Sequence, residues 1–178
     1  MLLSKNLNKI AFIFVIFGSF FVSNLPHTVA QNTEKYQPLP MVECDKIRQE
    51  MNNVLKVPVI ATSGAFTDVN ILEKGTGCLL SAKGNGQNFE SLNQVVKDVE
   101  LMLTQQGWEL DNKYAADGPT GKQRAFRKNN NLALFTVDWN PSDDAKCPDN
   151  QPISACNISA DKMMYEVYLN IATYSGSK

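Results

Sequence analysis

The chain has 178 residues, 43% apolar and 20% charged, with 17 Lys and Arg against 18 Asp and Glu and one histidine, His27. So even a balance leaves no electrostatic footprint for nucleic acid. With its only histidine inside the first 30 residues, the rest of the chain cannot build a Ser-His-Asp or Cys-His arrangement, a histidine-ligated zinc or a histidine-ligated haem.

Residues 1 to 30 follow the order of a secretory signal. Lys5 and Lys9 precede an apolar run from Ile10 to Val22, then come Ser23, Asn24, Pro26 and the small-residue close Thr28-Val29-Ala30. The run is shorter than the ~20 residues a helix needs to cross a bilayer, so the pattern predicts cleavage before Gln31 and no stable membrane anchor afterwards. Retention as an N-terminal anchor is the alternative. Removing Lys5 and Lys9 leaves 15 basic against 18 acidic residues, a net charge of −3. What remains is the commonest size for one domain.

All four cysteines, Cys44, Cys78, Cys147 and Cys156, lie beyond the signal. In an exported chain an even count reads as two disulfides, and no CxxC suggests redox or metal chemistry. Three connectivities are possible. The stretch CPDNQPISAC, with two prolines and no periodic apolar pattern, favours Cys147 with Cys156, which leaves Cys44 with Cys78.

Residues 31 to 40, QNTEKYQPLP, are polar, contain two prolines and have no period, and read as a flexible leader. A single domain then runs from 41 to 178. Cys44, Ile47, Met51, Val54 and Leu55 recur at spacings of three and four, predicting a first helix over 41 to 55 that stops near Lys56, before Pro58. Residues 57 to 68 and 78 to 82 read as strands. The strongest signal is 88 to 107, where Leu92, Val95, Val96, Val99, Met102 and Leu103 form one stripe, Ser91 and Gln94 offer a capping box, and Gly107 closes the helix. Residues 108 to 114, 122 to 128 and 132 to 139 read as a three-strand meander, and 164 to 172 as a last strand. The order predicts an α+β fold: a mainly antiparallel sheet, one long helix across it and a second N-terminal helix.

No specific catalytic or cofactor motif is present, and no cofactor is expected. Asp138, Asn140, Ser142 and Asp149 fall at positions 1, 3, 5 and 12 of a calcium loop, but position 6 holds Asp143 where a glycine is needed. The turns at 75 to 77 and 84 to 86 match neither phosphate-loop pattern. Asp111 and Asp117 are the nearest approach to a hydrolytic carboxylate pair. If Asn129 to Asn131 make a three-residue loop, Phe126 faces Leu134, Arg124 faces Thr136 and Lys122 faces Asp138. Lys122, Arg124, Phe126 and Lys128, joined by Tyr168, then form a basic and aromatic face fit for a protein or an anionic envelope component. Ala125, Ala133, Phe135, Val137 and Trp139 form the opposite face, for the long helix. The alternative puts the first helix over the basic face as a second layer.

Gly107-Trp108 through Tyr114-Ala115-Ala116-Asp117-Gly118-Pro119-Thr120-Gly121, then Phe126-Arg127-Lys128, Asp138-Trp139-Asn140-Pro141-Ser142 and Cys147-Pro148, resembles small exported cyanobacterial proteins of uncharacterised function. The resemblance covers roughly the last 100 residues. It implies export to periplasm, thylakoid lumen or medium, and carries no functional residue with it. The expected function is a non-enzymatic binding or accessory protein of the cell envelope or lumen, with a carboxylate-dependent hydrolase as the alternative.

Overall fold

The computed structural model describes residues 34 to 148 and 150 to 176. The signal and its cleavage point lie outside the described residues, as does Asp149 of the calcium-loop template. The described residues form one compact unit.

The elements run β1 (Tyr36–Pro38), α1 (Met41–Leu55), β2 (Val59–Asp68), β3 (Glu73–Asn85), α2 (Leu92–Gln105), β4 (Glu109–Leu110), β5 (Ala116–Asp117), β6 (Gly121–Lys128), β7 (Asn131–Pro141) and β8 (Met163–Tyr174), with short 3-10 turns between them. The fold is α+β, and the strands form one sheet in the order β2-β3-β1-β8-β7-β6-β4, with β5 also on β6. All the pairings are antiparallel except Tyr36 of β1 beside Gly75 of β3.

Both helices form where their apolar spacing places them. Cys44, Ile47, Met51 and Leu55 of α1 are buried, and Lys56 ends the helix in a left-handed conformation, its N–H donating to the Asn52 carbonyl. In α2 the stripe Leu92, Val95, Val96, Val99, Met102 and Leu103 is buried. Ser91 accepts the Gln94 N–H at 3.1 Å, which is half of a capping box, since the Gln94 amide turns to Asp98 instead. At the other end the N–H groups of Gly107 and Trp108 close back onto the carbonyls of Thr104 and Leu103, with Gly107 at φ 80°. The two helices share one core on one face of the sheet, against Leu80, Phe126, Phe135, Val137, Leu169 and Ile171. The Cys44–Cys78 disulfide ties α1 to β3, and Cys147–Cys156 staples the loop before β8.

The opposite face curls over at one end. Asn170 of β8 donates to the Ala65 carbonyl of β2 at 2.8 Å, across the intervening β3. That reach needs a glycine at 77, where a Cβ would stand 2.2 Å from the Asn170 amide oxygen. Gly75 is required for the same reason, since its Cβ would stand 2.0 Å from the Tyr36 carbonyl. The curled end encloses a second, smaller core of Tyr36, Phe66, Tyr114, Ala125, Leu132 and Ala172.

Three expectations are corrected. Residues 36 to 38 are a strand and not flexible leader, because Tyr36 is buried against Phe66, ring centroids 4.7 Å apart. Residues 108 to 114 pair with β6 only at Glu109 and Leu110 before turning into a 3-10 segment. The β6–β7 turn has two residues, not three: Lys128 faces Asn131, and Asn129 takes φ 55°, which asparagine tolerates better than most residues.

Val99 is fully buried at the centre of the α2 stripe. Val99→Asp is expected to prevent folding, because an unpaired carboxylate there costs several kcal/mol, comparable to a domain's whole stability. Near-ultraviolet circular dichroism checks this; a native spectrum with wild-type thermal unfolding would contradict it.

Candidate functional site

The curled end is held by one buried acid. Asp68, at the end of β2, is the one buried charged residue among the described residues, with 0% exposure. Its Oδ2 accepts the Tyr36 hydroxyl at 2.7 Å, and its Oδ1 accepts the Tyr114 hydroxyl at 2.7 Å and the Asn70 N–H at 3.1 Å. Arg127 of β6 stands 3.9 Å from Oδ2, while its Nε donates to Asp111 and its Nη2 to the Tyr114 hydroxyl, each at 2.8 Å. Tyr114 follows β4 on the far side of the sheet from β2, so this cluster joins the two sides of the curled sheet. Burial, then the bond to Asp68, pushes the Tyr36 phenol up, and the same causes raise Tyr114 to about 12.

Sequence reasoning missed this cluster. One signal was present: residues 59 to 67 are uncharged, and Asp68 ends the run in phase with Phe66, two positions before it. An acid on the apolar phase of a strand needs partners.

Beyond the clasp the curled face opens. Leu79, Ser81, Gln123, Leu134, Thr136, Tyr168 and Asn170 are half-buried there, and both helices lie on the opposite side. At its edge the Tyr168 hydroxyl donates to Glu166 at 2.8 Å, and Lys83 also pairs with Glu166.

The five expected partner-binding residues do not share a face. The observed register sets Lys122 opposite Val137, Arg124 opposite Phe135 and Phe126 opposite Ala133, all on the helix side. Phe126 is fully buried in the main core and cannot anchor a partner. Arg124 and Lys122 both pair with Asp117, at 2.8 and 3.4 Å. Lys128 donates to the Gln106 carbonyl at 2.7 Å, neutralising the C-terminal end of α2. Tyr168 alone, opposite Thr136, lies on the open face. The cause is the two-residue turn: one residue of register moves every side chain of a strand to the other face. The first helix does not form a second layer either, since it lies beside α2.

Asp111 and Asp117 do not converge as a pair. Burial pushes Asp111 up, but hydrogen bonds from Arg127 and the Lys113 N–H more than offset it, and Arg124 and then Lys122 hold Asp117 low against partial burial. Asp117 instead shares an open cleft of about 450 Å³ with Asp138. Burial, then the neighbouring Glu166, raises Asp138. Among the described residues no group of three His, Cys, Asp or Glu side chains could hold a metal ion.

No protein-family model, no curated protein and no solved structure matches this chain.

The clasp makes a pH prediction. Tyr36 and Tyr114 hold their protons more tightly folded than the ordinary phenol value of about 10, so their contribution is complete below pH 10 and falls as pH rises from there, through about 12 for Tyr114 and higher for Tyr36. Phenolate absorbance should therefore show these two tyrosines ionising only as the domain unfolds. Their titration near pH 10 with the fold intact would contradict the buried clasp.

Proposed function

We propose that this is a non-enzymatic binding or accessory protein acting outside the cytoplasm, at the cell envelope or in a lumen, and that it docks a protein partner on the open half of its curled sheet. The two disulfides suit an oxidising compartment, and the signal-like N-terminus and the resemblance to exported proteins support the route. No described helix is long and apolar enough to cross a membrane.

The observation that carries the reading is the open face itself. Leu79, Leu134 and Tyr168, interleaved with Thr136, Gln123 and Asn170, give apolar area with scattered hydrogen-bonding groups and few charges, the composition of a protein-docking surface. An anionic envelope component fits less well, because Lys122, Arg124 and Lys128 face the helix side and are already partnered. Tyr168 is the aromatic of this face, with its ring partly open and its hydroxyl fixed on Glu166.

A second reading, a carboxylate-dependent hydrolase, has one observation in its favour. Asp117 and Asp138 line one cleft with their pKa values displaced in opposite directions, as an acid and a base need. The double ion pairing of Asp117 weighs against it, since that carboxylate is committed.

A photo-cross-linking side chain at position 168, in the exporting cell, should capture one discrete protein, while the same probe at Glu50 on α1 should not. Tyr168→Ala should weaken that partner's affinity about tenfold or more. Equal labelling from both positions would contradict the docking face. Hydrolytic activity lost in Asp138→Asn would favour the second reading instead.

A further inference from the structure

The turn joining β2 to β3 is Val69-Asn70-Ile71-Leu72, and its three aliphatic side chains stand 55%, 54% and 79% exposed. Scattered apolar residues on a surface are ordinary, but three of four consecutive turn positions are not. The turn is also held in shape: Asn70 donates its N–H to buried Asp68, and Leu72 sits at φ 57°, a costly conformation for a branched side chain. A polar or glycine-rich turn would close this hairpin with less strain, so the aliphatics are not explained by folding.

We propose that this tip is a membrane-adsorbing element that dips its three aliphatic side chains into the interface of a lipid bilayer. Size argues for lipid over protein. Three side chains on one turn fall far short of the ~800 Å² per partner that a stable protein interface or dimer covers, and none of them is the aromatic or arginine that anchors such interfaces. Transfer of each aliphatic side chain into an apolar medium is worth about tenfold or more in partition, so together they suffice for weak, reversible adsorption. Two lysines stand behind the tip. Lys35 and Lys74 are neighbours there, the Lys35 N–H donating to the Lys74 carbonyl at 3.1 Å, and Glu34 and Glu73 stand next to them in the chain, so the charges balance and the adsorption is carried by the three aliphatic side chains. The chain also enters the domain here, because Tyr36 pairs with Gly75 three residues after Leu72. Residues 34 and 35 therefore lie at the end of the domain that bears the tip. This adsorption is independent of the open face, which lies beyond the clasp.

The test places a reporter on the tip of the full chain. Ile71→Trp, mixed with vesicles of phosphatidylcholine and phosphatidylglycerol carrying brominated acyl chains, should have its fluorescence quenched, while Ile153→Trp on the distant loop should not. In the Ile71→Trp background, Val69→Asp with Leu72→Asp should lower the quenched fraction about tenfold or more, with near-ultraviolet circular dichroism unchanged. An unquenched tip, or equal quenching at 153, overturns the proposal. So does a dimer seen by ultracentrifugation without lipid that Leu72→Asp dissolves, which would assign the tip to a second copy. Cross-linking from position 168 should be unaffected by the tip variants, so the two surfaces fail or stand separately.

Discussion

A carboxylate with no exposed surface, Asp68, is the group on which the shape of this domain depends. Removing a charge from water costs several kcal/mol, and each hydrogen bond to a charged group returns about 1.5 to 3 kcal/mol. Two tyrosine hydroxyls, one backbone N–H and a nearby guanidinium therefore roughly balance the burial. The effect of this clasp is on geometry, because the carboxylate is satisfied only when the end of β2, the strand β1 and the segment after β4 come together. A flat sheet would separate Tyr36 and Tyr114 and leave Asp68 with only the local Asn70 N–H as a donor.

The two faces of the sheet diverge from that constraint. One is covered by both helices and fixed to them by the Cys44–Cys78 disulfide. The other is closed at the clasp by Tyr36, Phe66, Leu132 and Ala172, and open farther along β7 and β8. Gly75 and Gly77 make the closure possible, since a side chain at either would meet Tyr36 or Asn170. The open half proposed for docking and the hairpin tip proposed for adsorption are thus two parts of one curled sheet, and the clasp lies between them.

Much of this was legible in the sequence where periodicity is strong. Both helices, their ends at Lys56 and Gly107, the α+β class and the disulfide pairing followed from spacing, punctuation and cysteine count. What failed was decided by tertiary geometry. A tripeptide of asparagines does not say whether two or three residues turn, and that single residue placed Phe126 in the core and not on a surface. Tyr36 in a proline-flanked polar segment gives no local sign of becoming a strand, because its partners, Phe66 and Tyr174, lie far along the chain. The clasp was partly visible as an acid in phase with Phe66, but its donors come from residues 36 and 114, and no local pattern links them.

The claim that the clasp governs the curl is tested most directly by native-state hydrogen exchange on Tyr114→Phe, which removes one donor to Asp68 together with the acceptor of Arg127 Nη2 and keeps the ring. The account predicts that amides of residues 64 to 68 and 73 to 77 lose protection while those of α2, β7 and β8 keep theirs. Unchanged protection at the β2–β3 end, or a uniform loss across the domain, would contradict it.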